Sequence, residues 1–329
     1  MFQYDLFLSC DWGTSSFRLR LVEAQTLSIL YELKASEGIK HLHTQYHSRE
    51  DLPVNRSQFY LAFLMEKIKI LQNKAGANLK HLPLVFSGMV SSSIGLKELP
   101  YGDLPFHFEK PELPSVWLQD QLDFPYKLLL ISGIRNNNDV MRGEETQILG
   151  LSSLYNIENS LVILPGTHSK HVYTDERGII DFKTYMTGEA FEIWSKHSVL
   201  SHSLKKVEKI PDFLAFRKGV DEGSRGNILH KLFNVRTNEL LKGFSGHSNY
   251  YFLSGVLIGA ELRELAEQKF RYIYLCGEGI IQDLYKEALS KLGYLGQLRV
   301  LDAEQLGSLV LRGHCMILSE VSQDFSISR

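Results

Sequence analysis

Asp11-Trp12-Gly13-Thr14-Ser15-Ser16, near the start of the chain, and Pro165-Gly166-Thr167-His168-Ser169-Lys170, just past its midpoint, decide the fold between them. Each follows an apolar run that reads as a strand, Leu6 to Cys10 and Leu161 to Leu164. Each precedes a second short strand pattern, Phe17 to Val22 and His171 to Tyr173. A strand, a Gly-Thr-x-Ser turn and a returning strand make a hairpin whose N–H groups converge on an anion. Glycine lets a phosphate come close, and the small hydroxyl residues add donors without blocking the approach. One such turn is common and usually structural. Two of them, in register with flanking strands and half a chain apart, predict a duplicated α/β fold that grips a polyphosphate from both sides.

Composition agrees. A chain of 329 residues has room for two domains, each with its own core. The apolar fraction of 44% and the charged fraction of 22% are those of a soluble globular protein. A formal net charge of −2, with no lysine- or arginine-rich block, argues against a nucleic-acid partner. The most apolar stretch, Tyr250 to Leu262, is interrupted by Ser254, Gly255 and Gly259 and is too short to span a bilayer. Met1 to Cys10 lacks the pattern of a secretory signal. Cys10, Cys276 and Cys315 are isolated in apolar contexts and read as buried free thiols, not as a disulfide or zinc site. The expectation is a cytoplasmic protein with no membrane partner, for which a homodimer is the default assembly.

Along the chain, Tyr4–Ser9, Phe17–Glu23 and Leu27–Lys34 read as a β-meander, and Ser57 to Asn73 as a helix capped by Ser57. Leu84–Phe86 and Lys127–Ile131 are short buried strands of the parallel kind. Between them Gly95 to Trp117, with four prolines, reads as an irregular excursion that walls a site. A polar loop, Arg135 to Gly143, leads into a helix from Glu144 to Tyr155. The second half repeats the scheme with strands at Leu161–Leu164, His171–Tyr173 and Ile179–Lys183. Helical sequence follows from Thr187 to Arg236 and from Tyr250 to Lys269. A βαβ unit then runs from strand Arg271–Cys276 through helix Ile280–Leu292 to strand Leu298–Leu301. A closing helix, capped by Asp302, runs from Ala303 to Val321. Two α/β domains are predicted, 1–156 and 157–329, with the last helix packing back on the first and a cleft between them.

The candidate chemistry sits at strand ends. Asp11 closes the first strand beside the first turn, where a carboxylate holds magnesium next to phosphates or, alternatively, caps its own turn. Phosphoryl transfer to an alcohol needs a carboxylate to accept the hydroxyl proton and positive charge near the phosphates. Within Asn136 to Thr146, Asp139, Glu144 or Glu145 suits the base, and Arg142 a phosphate or substrate acid. Acids complementing a helix dipole explain Glu144 and Glu145 equally well, so Asp139 is the preferred base and Glu144 its rival. Ser87-Gly88-Met89-Val90, after a buried strand, offers a polyol-contacting edge or an ordinary turn. Gly277-Glu278-Gly279 nearly matches a dinucleotide fingerprint, but Gln282 holds the third glycine position. It reads as an adenosine contact, with a nicotinamide dehydrogenase as the rival. His41, His43 and His47 read as a solvated loop segment.

These residues resemble those of the 2-dehydro-3-deoxygalactonokinase family, sugar-acid kinases of the superfamily that includes glycerol kinase, hexokinase and actin. The resemblance rests on Asp11-Trp12-Gly13-Thr14 with Arg18, Ser87 to Val90, Asp139 to Gln147, Pro165 to Lys170, Thr187-Gly188-Glu189, Leu253-Ser254-Gly255 and Leu257 to Glu261. It implies two duplicated actin-like, ribonuclease H-like domains with ATP and magnesium in the cleft. It further implies phosphorylation of 2-dehydro-3-deoxy-D-galactonate, or a related keto-deoxy acid, at the terminal hydroxyl in galactonate breakdown. By position, Gly13, Thr14, Ser15, Arg18, Gly166, Thr167, His168, Ser169 and Lys170 would line the phosphates. Gly277, Glu278 and Gly279 would meet the adenosine; Ser87, Gly88, Met89, Val90 and Glu189 would meet the sugar acid. The chain departs from the family at Ser16, usually asparagine, and at His171, often aromatic. A non-catalytic sugar sensor of the same fold is the remaining rival.

Overall fold

Leu6–Trp12 is buried on both faces, with Phe7, Leu8, Cys10 and Trp12 fully shielded, as only a central strand with layers on either side can be. It is β1 of the first unit in a computed structural model that describes residues 4–48, 55–118, 124–206 and 210–327. β2 (Phe17–Glu23) and β3 (Ile29–Ala35) continue an antiparallel meander. After α1 (Ile39–His47) and α2 (Arg56–Ala75), β4 (Pro83–Gly88) joins β1 in parallel. Short strands β5 (Gly102–Asp103), β6 (Phe106–His107) and β7 (Ser115–Leu118) precede β8 (Lys127–Ile131), which is parallel to β4. The hairpin β9 (Ile134–Arg135) and β10 (Val140–Met141) leads into α3 (Glu144–Ser152). The sheet order is β3-β2-β1-β4-β8, with β7 antiparallel at the edge.

The second unit repeats that order. β11 (Ser160–Leu164), β12 (Ser169–Thr174) and β13 (Gly178–Tyr185) are followed by α4 (Thr187–His197), α5 (Phe213–Ser224), α6 (Ile228–Lys242) and α7 (Gly246–Leu262). β14 (Ile273–Leu275), α8 (Gly279–Lys291), β15 (Leu298–Val300) and α9 (Ala303–Ile327) complete the chain. The sheet reads β13-β12-β11-β14-β15, with β11 antiparallel to β12 and parallel to β14, and β14 parallel to β15. In each unit the third, second, first, fourth and fifth core strands lie side by side in that order. This is the duplicated ribonuclease H-like, actin-like arrangement that the two turns predict. By contacts, the first unit comprises Met1–Asn156, Arg177–Ile180 and Gly307–Arg329, and the second Ile157–Glu176 with Asp181–Leu306.

Packing inside each unit is closest where glycines meet backbone. In the first, a Cβ on Gly150 of α3 would lie 2.0 Å from Leu309 O, and one on Gly313 of α9 would lie 2.1 Å from Thr146 O. In the second, Gly219 and Gly223 of α5 face Gly255 and Gly259 of α7, and a Cβ on any of the four would fall within 2.5 Å of a carbonyl oxygen of the facing helix. The glycines that seem to interrupt the apolar run at Tyr250 to Leu262 are therefore what lets that helix pack.

Local detail corrects several sequence expectations. The helix expected from Ser57 starts at Arg56 and is capped by Asn55, whose side chain accepts from Gln58 N while Gln58 returns a bond to Asn55 N. His41, His43 and His47 lie on α1, not in a loop. The segment 135–143 holds the β9–β10 hairpin, and the excursion at 95–117 holds β5 and β6 and begins β7. α3 ends at Ser152, and α7 starts at Gly246 behind a Ser245 cap and tightens into a 3₁₀ turn at Arg263–Glu267. The helical sequence expected from 187 to 236 resolves into α4, α5 and α6, and its residues 207–209 lie outside the described ones. Asp302 does cap the last helix, in a reciprocal pair with Gln305.

Candidate active site

The first turn closes the β1–β2 hairpin. Asp11 lies opposite Arg18, Trp12 opposite Phe17, and Gly13 N donates to Ser16 O at 2.9 Å. Thr14, Ser15 and Ser16 are exposed at the tip. The turn is held from behind by the N-terminus of α1. Ile39 N donates to Gly13 O (3.0 Å) and Lys40 N to Thr14 O (3.1 Å), and a Cβ on Gly38 would lie 2.3 Å from Thr14 O. The helix thus takes the carbonyls of the turn and leaves the hydroxyl-bearing tip facing away from it.

Asp11 pairs in register with Ser87 of β4, and Trp12 with Gly88. Gly88 has φ +89, and a Cβ there would lie 2.8 Å from Trp12 O and 3.6 Å from Asp11 Oδ1. On its far side stands Gly143, φ +108, where a Cβ would lie 3.2 Å from Gly88 Cα. Trp12, Gly88 and Gly143 therefore meet at backbone contact beside the Asp11 carboxylate, and Glu144, the first residue of α3, follows at once. Burial holds the Asp11 carboxyl above its ordinary value, against the pull of Arg18 and Arg20. A bound cation would reverse that balance. Among the described residues no group of three or more acidic, His or Cys side chains gathers for a metal. A single carboxylate suits magnesium, which keeps several waters and uses substrate phosphates as ligands.

Glu144 and Glu145 divide the helix start between them. Glu144 Oε2 accepts from Arg142 N at 3.1 Å, and its side chain is half-buried. Glu145 is fully buried; both its oxygens face Gly143 N (2.9 and 2.7 Å), and Thr146 Oγ1 donates to Oε1. Burial, and next the Glu144 charge, push the Glu145 carboxyl up to about 8, although those donors favour the anion. A folded value above the unfolded one of about 4.3 means that the proton stabilises the fold at low pH. That contribution is complete below about pH 4 and is lost as pH rises toward 8, at up to about 1.4 kcal/mol per pH unit. The melting temperature is expected to fall more steeply from pH 5 to 8.5 in the wild type than in Glu145→Gln. Parallel melting curves over that range would refute the assignment.

The other predicted residues of this unit find different occupations. Arg142 Nη1 donates to Ser91 Oγ (2.8 Å) and Ser132 Oγ (3.1 Å), Nη2 donates to Leu99 O (3.3 Å), and the guanidinium lies 4.2 Å from the Tyr101 ring centre. These contacts brace the excursion, while Nε is buried with no hydrogen-bond partner. Asp139 lies at the tip of the β9–β10 hairpin, its backbone N–H on Asn136 Oδ1 and its Oδ1 accepting from Val140 N at 2.7 Å. Val90 is sealed in the core, so only its backbone is on offer, and its carbonyl takes Leu96 N. Ser87 Oγ is buried with no hydrogen-bond partner, a polar group left for something else to satisfy.

The second turn is built the same way. Gly166, Thr167 and His168 are exposed, while Ser169 and Lys170 turn inward. Its backing is α4, where Glu189 N donates to Thr167 O (3.0 Å) and a Cβ on Gly188 would lie 2.4 Å from Gly166 O. His168 Nε2 stands 2.6 Å from Glu189 Oε2, and Lys170 Nζ donates to Thr184 Oγ1 at 2.6 Å, so the ammonium lies behind the tip. Gly277 packs on the Pro165 ring, and Gly279, at φ +59, opens α8. A pocket of about 180 Å³ adjoins this turn. Gly166, Thr187, Gly188 and Phe191 form one side, Tyr250, Ser254, Leu257 and Ile258 of α7 a second, and Ile280, Ile281, Leu284 and Tyr285 of α8 a third. A cavity of about 150 Å³ admits a benzene ring, so this one has room for a small planar ring.

Two backed turns, a carboxylate beside the first and a ring-sized apolar pocket beside the second are the parts of an ATP-dependent phosphotransferase. The family model for 2-keto-3-deoxy-galactonokinase matches residues 11–313. The chain belongs to the 2-keto-3-deoxy-galactonokinase family. A Rhizobium meliloti (strain 1021) protein named as a probable 2-dehydro-3-deoxygalactonokinase is 31% identical over 307 residues, covering 91% of this chain and 93% of that one. The Escherichia coli (strain K12) 2-dehydro-3-deoxygalactonokinase is 36% identical over 192 residues, covering 56% of this chain and 62% of its own. A crystal structure from Sinorhizobium meliloti carrying the same kinase name matches at TM-score 0.79 and 28% identity, over 96% of this chain and 99% of that one. Membership spans both units, so both turns are part of the kinase. Of the residues that build the site, Gly38 carried no sequence signal. The structural pairing of Gly38 with Gly188 could have been found only by aligning the two halves beyond the turns.

Proposed function

We propose that this protein phosphorylates 2-dehydro-3-deoxy-D-galactonate at its terminal hydroxyl, converting ATP to ADP. The observation that carries the reading is the family match from 11 to 313, which takes in both backed turns and the acidic start of α3. The second unit supplies the nucleoside pocket and a phosphate-facing turn; the first supplies the other turn, the acids and the β4 edge. Asp11 is the residue that would hold magnesium, which neutralises charge on the transferring phosphoryl. Glu144 is the base: it stands next to the Gly88–Gly143 contact that also positions Asp11, whereas Asp139 caps its own hairpin. Glu144 takes the proton of the terminal hydroxyl as that oxygen bonds to the γ-phosphorus and the bond to ADP breaks. Ser87, at the strand end with an unsatisfied hydroxyl, and Met89 belong to the sugar-acid side. Both substrates belong to the cytoplasm, where we place the enzyme; among the described residues no helix is long and apolar enough to cross a membrane.

A coupled ADP-release assay over a panel of aldonic and 2-keto-3-deoxy acids tests this. ADP release is expected with the keto-deoxy acids and greatest with the galactonate-derived one. Release with none of them would overturn the substrate assignment. Binding of NADH in place of ATP would overturn the kinase itself in favour of the dehydrogenase that the Gly277 turn allows.

A further inference from the structure

Behind the second turn lies a buried carboxylate that the chemistry above does not use. Glu261, 3% exposed near the end of α7, accepts on Oε1 from Ser169 Oγ (2.8 Å) and His171 Nε2 (2.8 Å). On Oε2 it accepts from Tyr285 OH (2.6 Å) and Thr187 Oγ1. A carboxylate has about four acceptor positions, and all four are filled by donors. The donors come from β12, just past the tip of the turn, from the start of α4, which backs it, and from α8, which walls the pocket. Thr187 and Tyr285 themselves line that pocket, and Thr187 precedes the Gly188 that touches Gly166. The carboxylate has little room to move, because Gly255 and Gly259 hold α7 at backbone contact with α5. Burial opposes its charge, yet the His171 bond and the hydroxyls outweigh burial and hold the carboxyl below its ordinary value.

We propose that Glu261 is a positioning residue for the nucleotide, its carboxylate locking Ser169, Thr187 and Tyr285 so that the second turn and the pocket beside it keep the form that receives ATP. The proposal rests on the reading of this protein as an ATP-dependent kinase. Glu261→Gln is the direct test, since an amide keeps the shape but turns one acceptor into a donor facing donors. Hydrogen–deuterium exchange of the nucleotide-free protein is expected to show faster exchange at residues 166–170 and 187–189. The KM for ATP should rise about tenfold, the worth of one charge-assisted hydrogen bond, with the KM for the sugar acid unchanged. A folded Glu261→Gln protein with wild-type exchange at those residues and a wild-type KM for ATP overturns the proposal. Should that variant not fold, Tyr285→Phe removes one donor and keeps the ring. It should raise the KM for ATP about threefold and speed the same amides, and no change in either would overturn the proposal equally. A wild-type protein that ATP does not stabilise against heat overturns the kinase reading instead, whatever the exchange data show.

Discussion

Glu144→Gln is expected to lower kcat by about a thousandfold while leaving the KM for ATP within about twofold of wild type. The loss is that of a general base, which contributes roughly 10²–10⁴ to proton-coupled steps. Glutamine keeps an oxygen for the Arg142 N–H, so the start of α3 is preserved and the missing element is the proton acceptor. Glu145 cannot replace it, because that carboxyl is fully buried on Gly143 N and Thr146. Asp139→Asn is the discriminating partner. Its oxygen can still accept from Val140 N, so turnover within about threefold of wild type is expected. The reverse pattern, a dead Asp139→Asn and an active Glu144→Gln, would return the base to the hairpin. Saturating ATP should protect Glu144→Gln against heat as it does the wild type, which separates lost chemistry from lost binding.

Much of this was legible in the sequence, for a physical reason. Both turns announce themselves because a strand, Gly-Thr-x-Ser and a second strand are contiguous, and the buried parallel strands read as apolar runs too short for helices. Asp302 was legible because a capping aspartate and its Gln305 partner are local. What stayed hidden was tertiary. Nothing near Gly38 says that its missing side chain makes room for Thr14 O, and the polar surface of α1 hid a helix behind three histidines. The bonds of Arg142 were hidden because Ser91, Leu99 and Ser132 are distant in sequence and meet it only in the fold. Asp139 gained its preference from lying before the helix, but the hairpin that occupies it is formed by residues too short in run to read as strands. The bond of Lys170 to Thr184 was hidden in the same way: the partner stands on the neighbouring strand, and β12 is buried on both faces from Ser169 to Val172.

The pairing of Gly38 with Gly188 leads to the second large effect, Gly188→Ala. The added Cβ would lie 2.4 Å from Gly166 O and 2.8 Å from Thr167 Cα, both backbone, so no side chain can swing aside. Either α4 withdraws and breaks the Glu189 N to Thr167 O bond, or the turn itself moves. Overpacking of this kind costs about 1–3 kcal/mol, and here the strain falls on the Gly166–Thr167 backbone that we propose receives phosphate rather than on the core. The KM for ATP is expected to rise about a hundredfold, since phosphate recognition by backbone N–H groups tolerates little displacement. ATP at about a hundred times the wild-type Kd stabilises by about 2.7 kcal/mol, and the variant should keep only about 0.4 kcal/mol of that increment at the same concentration. Protection by the sugar acid, which we assign to the first unit, should persist. Gly296→Ala is the matched control, because a Cβ there meets nothing within 4 Å and lies away from both turns in sequence. If Gly188→Ala keeps its ATP-dependent stabilisation, the backing helix does not hold the turn and the site must be supported from elsewhere. If it loses that stabilisation while Gly296→Ala keeps it, the missing methyl at Gly188 is what allows α4 to brace the second turn from behind.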